Sequence, residues 1–143
     1  MMLSRISRHG YPKSLHNRLM RQDTSQCSNS RESIRRLSVI TLSDLDAVNK
    51  FTQMNSKCCI YYTADWCGPC QAIKPVYKDL AALYTGNVAL AMVNVDDNPT
   101  AAAEAKVSSI PTFTLYSKNN HFLTFAGADS NKLRESLSAL AAK

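Results

Sequence analysis

Hydrophobic and polar positions follow two different periods along residues 38–143, and this pattern predicts one α/β domain. Apolar runs of strand length occur at LSVITL, KCCIYYT, NVALAMVNV, TFTLYS and HFLTFAG. Between these runs, and after the last one, apolar residues recur at the spacing of an amphipathic helix, except that the last two runs are separated only by KNN. The predicted order is therefore βαβαβαββα. Helices that alternate with strands, followed by a terminal hairpin, favour a central mixed sheet flanked by helices on both faces.

Particular residues mark where these elements begin, bend and turn. Ser43 is expected to cap the first helix, and Pro75 lies inside the second, residues 67 to about 84, where it should kink the helix. Asn119 and Asn120 tolerate positive φ and are expected to form the hairpin turn. The side chains expected on the inner faces of the second and last helices are Ile73, Val76, Tyr77, Leu80, Leu83, Leu133, Leu137 and Leu140.

The positive charge of the chain belongs to its first 37 residues. The net charge of the 143-residue chain is +6, and residues 1–37 carry eight basic and two acidic residues, so residues 38–143 are neutral. This division removes most of the argument for nucleic-acid binding. No run of about 18 apolar residues is present, so we expect no membrane span, and the start lacks the apolar core of a secretory signal.

Residues 1–37 have the composition of an organelle presequence, because they are rich in Arg and Ser and poor in acids. The segment MMLSRISRHG could form a short amphipathic helix, and we expect a mitochondrial address. A plastid address, or a disordered basic tail on a cytoplasmic protein, is the alternative. In either case we expect residues 1–37 to be separate from the domain and dispensable for its chemistry.

Two of the five cysteines stand in the segment TADWCGPC, directly after a buried strand. Cys67 opens a helix, whose first amides and dipole favour a thiolate, and we expect its thiol to be exposed. Cys70 lies one turn further on, close enough for a disulfide and more deeply buried. Gly68 allows the turn and the approach of a partner chain, and Pro69 removes an amide that no helical bond needs. Such a pair can exchange disulfides with another protein.

A zinc site and a static structural disulfide are the competing interpretations of this pair. Zinc needs two further ligands, and Cys58 and Cys59 are the only other cysteines of the domain. Neighbouring residues of a strand point to opposite faces, so both cannot turn toward Cys67 and Cys70. We therefore expect no metal, and we expect Cys58 and Cys59 to be small apolar residues of the strand.

The stretch Trp66-Cys67-Gly68-Pro69-Cys70 resembles the active-site motif of thioredoxins, and residues 38–143 as a whole are similar to that family. Three further matches fall at the expected distances. Pro75 lies five residues after the second cysteine, where thioredoxins have a proline that kinks the helix. Ile110-Pro111-Thr112 resembles the family's cis-proline loop. Gly127, with Ala128, resembles the glycine that lines the family's substrate groove.

This resemblance implies a thioredoxin fold and a monomeric enzyme that reduces disulfides in target proteins. Cys67 would be the nucleophile and Cys70 the resolving thiol. No bound cofactor is implied, since the electrons would come from NADPH through a thioredoxin reductase. The residues implied to shape the groove for a partner chain are Trp66, Gly68, Pro69, Ile110, Pro111 and Gly127.

The sequence also departs from the family pattern. Thioredoxins usually have a buried aspartate six residues before the first cysteine, where this chain has Tyr61, and often a lysine near it, where this chain has Met92. Because both charges are missing together, no unpaired buried charge results. The segment YYTADWCGPC resembles the plant mitochondrial o-type thioredoxins. A disulfide isomerase and a redox-sensitive binding module remain as alternatives, although isomerases usually have His in place of Pro69.

Overall fold

Residues 39–143 are described by the computed structural model of the chain. The predicted extension, residues 1–37, lies outside the described residues, and so do the first two residues of the predicted first strand. The elements are β1 Ile40–Thr41, α1 Leu45–Met54, β2 Lys57–Thr63, α2 Gly68–Leu83, β3 Ala89–Asn94, α3 Pro99–Glu104, β4 Thr112–Ser117, β5 Asn120–Ala126 and α4 Ser130–Ala141. The predicted α/β class and the order βαβαβαββα are confirmed.

The five strands form one mixed sheet in the order β1-β3-β2-β4-β5. β1, β3 and β2 run parallel, whereas β4 runs antiparallel to β2 and β5 antiparallel to β4. β2 is therefore the central strand, and Tyr61 on it lies between Met92 of β3 and Phe113 of β4. Because the parallel strands end at one edge of the sheet, the loops after β2 and β3 meet there.

The side chains of β2 alternate between two hydrophobic clusters, one on each face of the sheet. Cys59 and Tyr61 join the cluster that α2 and α4 cover, together with Leu133, Leu137 and Leu140 of α4. Cys58, Ile60 and Tyr62 join the cluster that α1 and α3 cover. The predicted alternation is confirmed. Each fully buried leucine contributes on the order of 2 kcal/mol to this packing before entropy is counted.

Three local expectations are wrong, and the first concerns the start of α1. Asp44, and not Ser43, caps this helix, because its carboxylate accepts a 2.7 Å hydrogen bond from the amide of Ala47. Ser43 instead donates its hydroxyl to Asp44. The charged oxygen is the stronger acceptor, and its charge also suits the positive end of the helix.

The hairpin turn and the last turn of α2 also differ from expectation. Positive φ occurs at Lys118 (51°) and Asn119 (62°), one residue earlier than predicted, because Asn120 already pairs with Ser117 in the sheet. Leu83 is 71% exposed. A helix rotates about 100° per residue, which leaves Leu83 roughly 80° from Ile73, at the margin of the inner face. Pro75 lies inside α2 as predicted, without interrupting it.

Candidate active site

The cysteine pair lies at the junction of β2 and α2. β2 ends at Thr63, a short turn follows, and Cys67 is the N-cap of α2, which begins at Gly68. A disulfide joins Cys67 and Cys70, whose Cα atoms are 5.2 Å apart. This separation lies within the usual span of about 4.4–6.8 Å for a disulfide. The two intervening residues, Gly68 and Pro69, therefore leave the cysteines at a separation that suits a disulfide.

The start of α2 provides the electrostatic environment of Cys67. The Sγ atom of Cys67 accepts a hydrogen bond of 3.3 Å from the amide of Cys70, as a capping side chain does. Pro69 stands in the first turn, where a helix has no partner for an amide anyway. In the reduced protein, this amide and the positive end of the helix dipole both favour a thiolate on Cys67.

Cys67 is more buried than the sequence suggested. Its side chain is 5% exposed and that of Cys70 is fully buried, so the expectation of an exposed nucleophile is wrong, whereas the deeper position of Cys70 is confirmed. The surrounding residues explain the difference. Gly68 and Pro69 are exposed, but the Sγ atom of Cys67 lies only 3.9 Å from the carbonyl oxygen of Ile110 on the other side. A partner sulfur therefore has to approach from the side of the exposed Gly-Pro turn.

The loop before β4 forms the second wall of the site. The Ile110–Pro111 peptide bond is cis, as the resemblance implied, and this loop lies directly beside Cys67. Gly127, at the end of β5, donates its amide to the carbonyl oxygen of Pro111 across 2.8 Å. Its φ of 106° is one that other residues rarely adopt. Four of the predicted groove residues, Gly68, Pro69, Ile110 and Pro111, are thus assembled around Cys67, and Gly127 supports them from the neighbouring strand.

Trp66 is anchored by a residue that the sequence analysis did not identify. Its indole is 71% exposed, yet its Nε1 atom donates a hydrogen bond of 2.8 Å to a carboxylate oxygen of Asp96. Asp96 follows β3, at the edge of the sheet where β2 also ends. A carboxylate directly after a buried parallel strand was the available signal, because such strand ends form functional edges. The hydrogen bond holds a large apolar surface beside the disulfide at a fixed angle.

Tyr61 lies directly beneath the pair on the inner side of the sheet. Its side chain is fully buried, and its hydroxyl donates a hydrogen bond of 2.8 Å to the carbonyl oxygen of Cys70. The ring stacks on Phe113 with centroids 4.8 Å apart. Burial raises the pKa of Tyr61 above its ordinary value, so the phenol stays protonated at neutral pH. Met92, the other departure from the family pattern, is the register neighbour of Tyr61 and is buried in the same cluster.

The other two cysteines of the described residues do not approach the pair as a set. Cys58 and Cys59 are free and fully buried, and they belong to opposite clusters. Burial raises the pKa of each thiol from 9.0 to about 12. Within residues 39–143, no group of three His, Cys, Asp or Glu side chains is arranged to hold a metal ion. In this same part of the chain, no helix combines the length and the apolar character needed to cross a membrane.

Comparison with known proteins agrees with this geometry. The family model for thioredoxin matches residues 38–139. The thioredoxin of Ovis aries is 39% identical over 79 residues, which are 55% of this chain and 74% of that protein. The thioredoxin of Pyropia yezoensis is 33% identical over 92 residues, which are 64% of this chain and 86% of that protein.

Two solved structures show the same fold. Mitochondrial thioredoxin 3 from Saccharomyces cerevisiae, in its oxidised form, superposes with a TM-score of 0.69 at 28% identity, covering 71% of this chain and 95% of that one. The thioredoxin of Fasciola hepatica superposes with a TM-score of 0.68 at 31% identity, covering 71% of this chain and 98% of that one.

Proposed function

Because the chain belongs to the thioredoxin family, and its Cys67–Cys70 pair makes it a thiol-disulfide oxidoreductase, we propose that it works as a reductant of disulfides in partner proteins. The observation that carries the proposal is the position of Cys67 as the N-cap of α2, where the amide of Cys70 favours the thiolate that attacks a target disulfide. A Gly-Pro pair between the cysteines, with no His in place of Pro69, favours a reductant over an isomerase.

The proposed reaction begins with the reduced pair and transfers two electrons to the target. The Cys67 thiolate attacks one sulfur of the target disulfide, and the target's other sulfur leaves as a thiolate that takes up a proton. Cys70 then loses its proton and attacks the Sγ atom of Cys67. The bond between Cys67 and the target breaks, the second target thiol is released, and the Cys67–Cys70 disulfide forms. The target is reduced and the pair is oxidised.

The groove residues are proposed to hold the target chain during this exchange. The carbonyl oxygen of Ile110, beside Cys67, is placed to pair with the main chain of an extended segment, and Pro111 has no amide that could compete for the sulfur. Trp66 gives the segment a flat apolar contact. Gly127, which is hydrogen-bonded to Pro111, has no side chain that could obstruct the groove on that side. The pair itself is regenerated, in this proposal, by NADPH through a thioredoxin reductase.

Reduction of insulin tests the proposed function. The full chain, supplied with NADPH and a thioredoxin reductase, should precipitate the insulin B chain and consume NADPH through many turnovers. The matched control is the variant in which both Cys67 and Cys70 are Ser, which should be inactive. A stable complex with a target and no turnover would instead identify a redox-sensitive binding module. Reshuffling of scrambled disulfides without net reduction would identify an isomerase.

The cellular setting is also a proposal. We propose a mitochondrial, monomeric protein whose residues 1–37 act as a presequence, with a resemblance to plant o-type thioredoxins that remains a prediction. The basic, acid-poor composition of those residues supports the address, and one of the similar solved structures is a mitochondrial thioredoxin. Fusing residues 1–37 to a fluorescent protein tests it. Exclusive plastid or cytoplasmic fluorescence would contradict it.

A further inference from the structure

Cys70 has to ionise in a place where burial opposes ionisation. Its side chain is fully buried, and in the resolving step its thiol must become the thiolate that attacks the Sγ atom of Cys67. Cys59, in the same hydrophobic cluster, shows the size of this obstacle, because burial raises the pKa of its thiol to about 12. A thiolate on Cys70 therefore needs a hydrogen-bond donor from the protein.

Two polar groups beside Cys70 are already committed. The amide of Cys70 donates to the Sγ atom of Cys67, so it serves the first cysteine and not the second. The hydroxyl of Tyr61 donates its proton to the carbonyl oxygen of Cys70. Neither group is free to donate to a thiolate on Cys70 while these bonds last.

Charged groups are kept out of the interior around Cys70. In the described part of the chain, no residue with a charged side chain is buried. Asp65 and Asp96, in the loops beside the pair, are exposed, and Lys74, one turn further along α2, is half-buried. The buried titratable neighbours, all on β2 and α2, are Cys59, Tyr61 and Tyr77. Burial raises the pKa of each of these three groups, and β3, β4, β5 and α4 contribute apolar residues to the cluster.

The hydroxyl of Thr63 is an uncommitted donor on the side of the sheet where Cys70 lies. Among the described residues, the buried side-chain polar groups without a hydrogen-bond partner belong to Tyr62, Thr63 and Asn98. Tyr62 faces the opposite cluster, and Asn98 caps α3, which covers that opposite cluster. Thr63 is the last residue of β2 and shares the strand face of Tyr61, toward α2.

Thr63 and Cys70 meet at the hydroxyl of Tyr61. The phenol donates to the carbonyl of Cys70, and the Thr63 hydroxyl lies beside the phenol, where it lowers the pKa of Tyr61 against the larger, opposite effect of burial. The geometry nevertheless leaves the Thr63 hydroxyl without a hydrogen bond to Tyr61. Its proton is therefore free, and at 6% exposure the residue is shielded from bulk solvent.

We propose that Thr63 takes part in the resolving step, and that its hydroxyl donates the hydrogen bond that stabilises the Cys70 thiolate, directly or through one water molecule. The proton of Cys70 passes to water, and the thiolate attacks the Sγ atom of Cys67. The bond between Cys67 and the target breaks, and the target sulfur leaves with the electron pair of that bond. This inference rests on the proposed function for the order of the two steps, and it concerns only the second step.

Reaction with a symmetrical nitroaryl disulfide tests the proposal, in the full chain with Cys27 of the extension replaced by Ser. Attack by Cys67 releases one coloured thiolate and resolution by Cys70 releases the second, so stopped-flow absorbance separates the two rates. Thr63→Val should slow the second release by about tenfold at neutral pH and leave the first within about twofold. The pH at which the second rate levels off should rise by about one pH unit, and Thr63→Ser should restore both values.

Two further variants separate the hydroxyl from other causes. Thr52→Val removes a buried threonine hydroxyl from α1, remote from the pair, and should alter neither rate. Lys74→Gln removes the half-buried cation of α2 and should leave the pH profile of the second release unchanged. If Lys74→Gln reproduced the effect of Thr63→Val, the stabilising group would be the cation and the proposal would be overturned.

Other results would also overturn the proposal. One is a second release that Thr63→Val leaves unchanged, or slows in a way that Thr63→Ser does not restore. Another needs no variant, namely a second rate in the chain with native Thr63 that still rises at about pH 10, because Cys70 would then be as hard to ionise as Cys59. Rapid release of both thiolates, with the expected effect of Thr63→Val but no reduction of insulin, would support this inference and contradict the proposed function.

Discussion

The hydroxyl of Tyr61 and the main-chain carbonyl of Cys70 are joined by a buried hydrogen bond of 2.8 Å. The residue that stands where most thioredoxins have an acid is thus tied to the backbone of the second cysteine. A phenol whose pKa is raised by burial does not ionise near neutral pH, so it does not act there as the base that deprotonates Cys70. We infer that water takes this proton, because the sulfur of Cys67 is bonded to the target at that step.

Replacing Tyr61 by Phe separates the hydrogen bond from the packing of the ring. Tyr61→Phe should lower the free energy of unfolding by about 1 kcal/mol, because one buried hydrogen bond is lost while the stack on Phe113 remains. The rate of insulin reduction should change less than about threefold. Urea unfolding and the coupled assay measure the two effects. A loss of activity above about a hundredfold would show that the phenol takes part in proton transfer.

Introducing the family's usual acid tests how dry this position is. Tyr61→Asp should lower the free energy of unfolding by about 3–5 kcal/mol, since a carboxylate would be buried without a partner and a large ring would be lost. Met92 is the register neighbour of Tyr61, so adding Met92→Lys should recover part of that loss. A thermodynamic cycle of unfolding free energies near neutral pH measures the coupling. If Tyr61→Asp alone leaves the free energy of unfolding unchanged, water reaches this position despite its full burial.

The two cysteines should behave differently when each is replaced. Cys70→Ser should accumulate mixed disulfides with target proteins, because Cys67 can still attack but nothing resolves the product. Cys67→Ser should form essentially none, since Cys70 is fully buried and lacks the capping position. Non-reducing gels with an oxidised target, and mass spectrometry of the trapped species, compare them. Equal trapping by both variants would contradict the assigned roles.

Asp96 should matter for target reduction through its bond to Trp66. Asp96→Ala frees the indole, so kcat/KM for insulin should fall by about threefold to tenfold while stability changes by less than about 1 kcal/mol. Asp97→Ala is the matched control, because this neighbouring carboxylate is exposed and its loss leaves the indole bond intact. An equal effect of the two substitutions would assign the change to charge alone.

The buried thiols should make the fold sensitive to alkali. Cys58 and Cys59 have folded-state pKa values of about 12 against an ordinary 9.0. The folded state therefore keeps protons that the unfolded state loses, and stability is full below about pH 9 and falls as the pH rises toward 12. Cys59→Ala should reduce the loss between about pH 8 and pH 10 by about 1 kcal/mol. Urea unfolding of the oxidised protein at both pH values measures it, and an unchanged loss would contradict the burial argument.

The sequence was sufficient for the order of elements because each strand and helix has a clean apolar period, and β2 with its alternating faces is the best example. The exact residues at which helices begin and strands turn were harder to predict from the sequence. Ser43 and Asp44 are both good capping residues, and only the backbone decides which side chain reaches the amide of Ala47. The hairpin turn was displaced by one residue because Lys118 has no local signature of positive φ.

In the active site too, some residues could be predicted from local sequence and others only from tertiary contacts. Cys67 and Cys70 were identifiable because their chemistry depends on local spacing, and the wall formed by Ile110 and Pro111 was found only through family resemblance. Asp96 was missed because its partner, Trp66, lies thirty residues away along the chain and meets it only where two parallel strands end. The low exposure of Cys67 was missed for the same reason, since it results from the loop that carries Ile110.

Cys58 and Cys59 are fully buried on opposite faces of β2, so they should not react with a thiol reagent while the domain is folded. The number of reactive thiols should therefore report both the folding state and the redox state of this protein. The fifth cysteine, Cys27, belongs to the basic extension of residues 1–37. With Cys27 replaced by Ser, an alkylating reagent should find no thiol on the oxidised native chain. It should find up to two after gentle reduction, and four when the chain is unfolded and reduced. One intact-mass spectrum would then report both the redox state of the pair and whether the domain was folded when it was labelled.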